Sequence, residues 1–103
     1  MEESGPVLAT TIYHPTGGLE VEFLKIWNNK IAKLAYSMNA DDAHIYHNEN
    51  TDEFLASIHW PSKKLACTFL ESSEFQEATR ELNIFCLVPS TKEHFEILTE
   101  KAA

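Results

Sequence analysis

Apolar residues recur along this chain in two rhythms, and the switches between them mark out its elements. Residues 7–13, VLATTIY, are β-branched and aromatic, and HPTGG then stops the run with a proline and two glycines, so a strand is expected there. In LEVEFLKIWNNKIAKLAYSM the spacing becomes helical. Phe23, Trp27, Ile31, Leu34 and Met38 fall on one stripe, with Glu22, Lys25, Asn29 and Lys33 mostly away from it. Gly17 is the expected N-cap, with Glu20 three residues on, near the positive end of the helix. Residues 43–48 (AHIYHN) and 53–60 (EFLASIHW) are extended again, and ENTD between them reads as a hairpin turn. With Asn50 and Thr51 as a two-residue loop, Ile45 faces Ala56 and His44 faces Ser57. One sheet face then carries Ala43, Ile45, His47, Phe54, Ala56, Ile58 and Trp60, and the other His44, Tyr46, Leu55, Ser57 and His59. A slip of one residue would exchange the faces of one strand.

Pro61 suits a strand exit, and Ser62 is placed to cap the helix that follows. Leu65, Ala66, Phe69 and Leu70 form its apolar face. Ser73-Glu74-Phe75-Gln76 has the form of a capping box, and Phe75, Ala78, Thr79 and Leu82 give the next stripe, so ESS is a junction of two helices or a kink in one. NIFCLVPS (83–90) reads as an extended connector and KEHFEILTE (92–100) as the last strand.

The order β-α-β-β-α-β predicts an α+β, ferredoxin-like fold: one sheet with its helices on one face. A chain of 103 residues is expected to be a single domain, 1–103, with a core over about 7–99 and ragged ends. Such a sheet leaves its second face open, and Tyr46 and Leu55 on that face point to a second copy of the chain as its cover. Charge narrows the partners. The formal net charge of −8 disfavours nucleic acid, and no apolar run is long enough to span a bilayer. Two distant cysteines, Cys67 and Cys86, suit neither a disulfide scaffold nor a zinc motif, so a cytoplasmic setting is expected.

Three stretches carry a family resemblance: TGGLEVEFLKIWNNKIAKL, the hairpin closing as FLASIHWPS, and FLESSEFQEATREL. Over residues 7–99 the chain resembles the antibiotic-biosynthesis-monooxygenase-like proteins of the dimeric α/β-barrel superfamily. The resemblance implies a homodimer whose two sheets form a barrel, with a pocket in each subunit between sheet and helices. It also implies a small cofactor-independent monooxygenase acting on a flat aromatic or quinol-like molecule. The alternative is a non-catalytic dimeric module that binds a ligand or another protein. The haem-degrading members use an Asn, a Trp and a His. Here Phe69 and Thr79 stand where the Trp and His belong, and the first strand has no Asn, so haem degradation by that triad is not expected.

The remaining candidates are few. His47 and His59 are the candidate proton acceptors, and Phe23, Trp27, Trp60 and Phe69 the candidate walls of an aromatic pocket. Periodicity alone also accounts for both tryptophans as core, and His47 equally reads as a buried or turn-edge residue. His44 and His47, three apart on a strand, point to opposite faces and argue against a shared metal. Lys63 and Lys64 precede Cys67 by one turn, yet an inert packing role for that thiol is favoured over a reactive one. No glycine-rich phosphate loop or Gly-x-Ser-x-Gly element is present, and neither metal nor cofactor is expected.

Overall fold

The computed structural model describes residues 5–88 and 91–96. Four strands, β1 (Val7–Tyr13), β2 (Asp42–His47), β3 (Phe54–Trp60) and β4 (Thr91–Glu96), form one sheet in the order β2-β3-β1-β4, with every neighbouring pair antiparallel. Helices α1 (Glu20–Ile26), α2 (Lys33–Ser37), α3 (Lys63–Glu71) and α4 (Ser73–Ile84) complete the ferredoxin-like α+β arrangement. The hairpin register is the expected one, with Ile45 opposite Ala56 and His44 opposite Ser57. Its turn is longer than a two-residue loop. The Asp52 N–H donates to the Asn48 carbonyl at 2.7 Å, Asp52 takes a φ of 62°, and the Asn48 side chain accepts from the Asn50 and Thr51 amides. Asn and Asp tolerate such local bonding and left-handed backbone, which is why a turn without glycine closes here. The last-strand expectation holds for Thr91–Glu96, and residues 97–100 lie outside the described residues.

Between α1 and α2 the helix is not α-helical but runs as a π-helical segment, Trp27–Ala32. The sequence explains it. The most deeply buried residues of this helix, Phe23, Trp27, Ile31 and Ala35, are spaced by four at every step, with Ala32 buried beside them. In an α-helix each step of four overshoots a full turn by about 40°, so the stripe would wind off the sheet. The wider π turn keeps it in line. Leu34, expected in the stripe, is displaced to its shoulder, and Ala35 takes the buried place. The N-terminus also differs: Leu19, not Gly17, is the N-cap, and the Glu20 carboxylate accepts from the Gly18 N–H at 3.0 Å. Gly18 has a φ of 91°, a backbone conformation that glycine takes without strain.

Ser62 caps α3 as expected, its hydroxyl accepting from the Leu65 N–H at 3.3 Å. ESS is a true junction of two helices, but the cap is Ser72 rather than Ser73. The Ser72 hydroxyl donates back to the Phe69 carbonyl at 2.8 Å and accepts from the Phe75 N–H at 3.2 Å, so one side chain serves both helix ends. Ser73, one residue later, is already helical. Nor is 83–90 an extended connector throughout. Helix α4 continues to Ile84, and only then does the chain run beside residues 14–16, bridging Pro15 to Cys86.

The inward face of the sheet and the helices share one core, in which Trp27, Trp60, Tyr13, Phe23 and Phe69 are the largest fully buried side chains. The opposite face is open, with Tyr46, Leu55 and Phe95 exposed.

Candidate functional site

Every residue expected to wall an aromatic pocket lies inside that core. Phe23, Trp27, Trp60 and Phe69 are each no more than 1% exposed. Phe23 stands in one run of rings, Tyr13–Phe23–Phe54 at 5.1 and 5.5 Å, and Trp60 and Phe69 in another, Trp60–Phe69–Phe75 at 5.0 and 4.6 Å between centroids; Trp27 is in neither. Rings in these arrangements stabilise the fold beyond their burial. The indole N–H groups of Trp27 and Trp60 are buried without a hydrogen-bond partner. Tyr13 lies near Trp27, Thr11 and Cys86, and its burial, with the Cys86 thiol adding, pushes the hydroxyl far above its ordinary pKa. Interaction with Thr11 and Trp27 opposes that rise, although the indole makes no hydrogen bond of good geometry. Burial likewise raises the Cys86 thiol, offset in part by a hydrogen bond from the His14 backbone.

The two candidate histidines are not brought together. His59 is exposed on the open face. His47 sits on the turn edge of β2, its ring 4.7 Å from that of Phe54 and its Nε2 3.2 Å from the Asp52 carboxylate. It lines a cleft of about 320 Å3 with Ile12, Tyr46, Asn48, Glu53 and Leu55. His44 is engaged differently, pairing at 2.8 Å with Asp42, whose carboxyl is held below its usual pKa chiefly by that bond. Among the described residues no three His, Cys, Asp or Glu side chains are grouped to hold a metal ion.

Two further clefts lie on the helical side. One, of about 580 Å3, separates α4 from the π segment and α2, and the Lys30–Glu81 ion pair at 2.8 Å spans it. The other, of about 360 Å3, runs between α4, the end of α3 and β4. Gln76, Thr79, Arg80 and Asn83 line it at helical spacings of i, i+3, i+4 and i+7, so one face of α4 supplies them all. Leu70 and Phe75 form its apolar wall, and Lys92 reaches in from β4 with its ammonium 6.0 Å from the Phe75 ring centre. Thr79 Oγ1 and Asn83 Oδ1 are buried here without a hydrogen-bond partner.

This last cleft is the candidate site. A buried polar atom without a partner costs about 1–3 kcal/mol, and two residues lining this cleft, Thr79 and Asn83, each carry one, shut off from solvent. Phe75 ends the Trp60–Phe69–Phe75 run, so two of the expected aromatic walls, Trp60 and Phe69, are packed behind the cleft. Neither Arg80 nor Asn83 figured among the sequence candidates. The available signal was the polar i, i+3, i+4, i+7 run containing the chain's single arginine.

No protein-family model and no curated protein matches the sequence. Solved structures do. The chain is similar to a candidate antibiotic biosynthesis monooxygenase of Caulobacter crescentus, with a TM-score of 0.82 and 10% identity over 93% of this chain and 92% of that one. A protein of the same provisional name from Nitrosomonas europaea matches with a TM-score of 0.80 and 8% identity over 99% of both chains. A conserved protein from Methanosarcina mazei, with no activity in its name, matches with a TM-score of 0.78 and 13% identity over 89% of this chain and 92% of that one. The chain thus has the fold of the proteins given that monooxygenase name, as its sequence resemblance implies.

Proposed function

We propose that this chain is an antibiotic-biosynthesis-monooxygenase-like protein that binds a small aromatic molecule in the cleft between α4 and β4 and works as a homodimer in the cytoplasm. The observation that carries the reading is the pair of partnerless buried oxygens, Thr79 Oγ1 and Asn83 Oδ1, beside an aromatic wall. The aromatic interior offers less, since none of the three clefts is lined by Phe23, Trp27, Trp60 or Phe69. For the dimer, the support is the open face, where Tyr46 is 54%, Phe95 48% and Leu55 38% exposed around the buried Thr10 and Ser57. Two such faces stacked would bury those side chains. Titration of the protein with a panel of one- and two-ring aromatics, followed by amide chemical shifts, tests the cleft: shifts confined to α4, the end of α3 and β4 support it, and shifts elsewhere refute it. Sedimentation equilibrium tests the dimer, and a species of 11.7 kDa at micromolar concentration refutes it.

A second reading, cofactor-independent oxygenation, rests on His47. Its contact with Asp52 at 3.2 Å orients the ring beside a partly apolar cleft, where a proton acceptor would have to stand. The substrate would be flat and quinol-like and would supply the electrons itself. In an anthrone the ring CH2 becomes a carbonyl with one oxygen atom of O2, and the other leaves as water with the two hydrogens. A quinol, which has no such carbon, would pass its two hydrogens to O2 as hydrogen peroxide and become the quinone. Oxygen uptake with an anthrone or quinol substrate, abolished in His47→Gln, supports this reading. Uptake equal to the protein-free rate refutes it.

A further inference from the structure

Resting on the reading that the α4–β4 cleft holds a small molecule, we infer that its ligand is a hydroxylated aromatic carboxylate. Three features of the cleft each specify one part of that molecule. Phe75 and Leu70 line the cleft with an aromatic and an aliphatic side chain, which suits an apolar body. Arg80 and Lys92 approach from α4 and β4, and among the described residues neither is paired with a carboxylate. A planar guanidinium takes a carboxylate with two parallel hydrogen bonds, which an ammonium cannot do. The chain carries sixteen acidic residues against eight basic ones and only this one arginine. Two cations also line the larger cleft, but there Glu74, Glu77 and Glu81 accompany them, whereas this cleft is lined by two cations and no carboxylate. The third part is a hydroxyl. Asn83 Oδ1 only accepts and needs a donor, whereas Thr79 Oγ1 both donates and accepts; both are closed to solvent, so one ligand O–H satisfies them once the Asn83 side chain turns to admit it.

Size sets the limit on the rest. About 360 Å3 is near the lower end of small-molecule pockets. That volume accommodates one or two fused rings and excludes a tetrapyrrole. The carboxylate lies toward the exposed Arg80 and Lys92 and the hydroxyl toward the buried end of the cleft, which fixes the ring's direction across Phe75.

The test uses para-hydroxybenzoate and its neutral counterpart para-hydroxybenzyl alcohol, titrated separately into the full chain and followed by amide chemical shifts. The expected result is that para-hydroxybenzoate shifts residues of the cleft. Its affinity should fall about tenfold in Arg80→Gln, as for a lost hydrogen bond to a charged group, and less in Lys92→Gln. Both side chains are exposed, so neither change threatens the core. Thr79→Val keeps the shape, removes the hydroxyl and should weaken para-hydroxybenzoate but not benzoate. If the alcohol binds at the cleft as tightly as the acid, or Arg80→Gln leaves the acid's affinity unchanged, the anion assignment is overturned while the cleft stands. If neither compound shifts any cleft residue, the inference falls together with the reading beneath it.

Discussion

The aromatic interior and the α4–β4 cleft contain the same kind of defect in different surroundings. Trp27 and Trp60 bury indole N–H groups without partners in the packed core, and Thr79 and Asn83, which line the cleft, bury oxygens without partners. In the interior the cost is outweighed by what the rings contribute, since fully burying a large apolar side chain stabilises by about 1.5–3 kcal/mol and each ring pair adds about 0.5–1.5 kcal/mol. In the cleft no such ring pairs offset it, and a ligand bound there, as proposed, would relieve it. The same logic separates the two faces of the sheet. Trp60 leaves the inner face fully buried, and Tyr46 leaves the outer one half exposed.

If the interior is structural, its largest ring should dominate stability. Trp60 stacks on Phe69 at the exit of β3, so Trp60→Ala should lower the unfolding free energy by about 3–5 kcal/mol, and Trp60→Phe should cost clearly less, because it keeps a ring and discards the partnerless N–H. Chemical denaturation reads both. A Trp60→Ala protein that unfolds like the parent but loses ligand binding would move the site into the interior.

Tyr13 offers a pH test of the same interior. Unfolded, its hydroxyl loses the proton near 10.0, and folded it keeps that proton to higher pH. The unfolded state then binds fewer protons, so stability falls as pH rises past 10.0, by at most about 1.4 kcal/mol per pH unit from this one group. Below that pH its contribution is fully present. Tyr13→Phe should flatten the alkaline slope, and a slope unchanged by the substitution would show that the hydroxyl is not held dry.

Much of this division was legible in the sequence. Alternation in EFLASIHW assigned Phe54, Ala56, Ile58 and Trp60 to the inner face and left Leu55 and His59 outside, because pleating leaves no other choice once the register is set. The helix-junction serine was displaced by one residue, since only Ser72 reaches both helix ends. The π segment does not follow from α-helical spacing, although Phe23, Trp27, Ile31 and Ala35 repeat by four. The cleft was missed for two reasons. Lys92 joins α4 only through the fold, and Thr79 was absorbed into an apolar stripe on the strength of its neighbours Phe75, Ala78 and Leu82.

The smaller effects sharpen the cleft. Ser72→Ala removes the hydroxyl shared by α3 and α4, which should cost about 1 kcal/mol of stability and loosen the corner between Leu70 and Phe75. Weakened binding of para-hydroxybenzoate would accompany it. Thr79→Val should be the smallest stability change of all, neutral or stabilising by up to about 1 kcal/mol, because the hydroxyl it removes has no partner. A clear loss of stability in Thr79→Val would mean that the oxygen is already satisfied and that the cleft holds no vacant polar position.

The most direct measurement of where a ligand sits is a crystal of the protein soaked with a brominated hydroxybenzoate, with the bromine located by its anomalous scattering. The account places the bromine against the Phe75 ring, with the carboxylate in reach of Arg80. A bromine between Trp27 and Trp60, or beside His47, would contradict it.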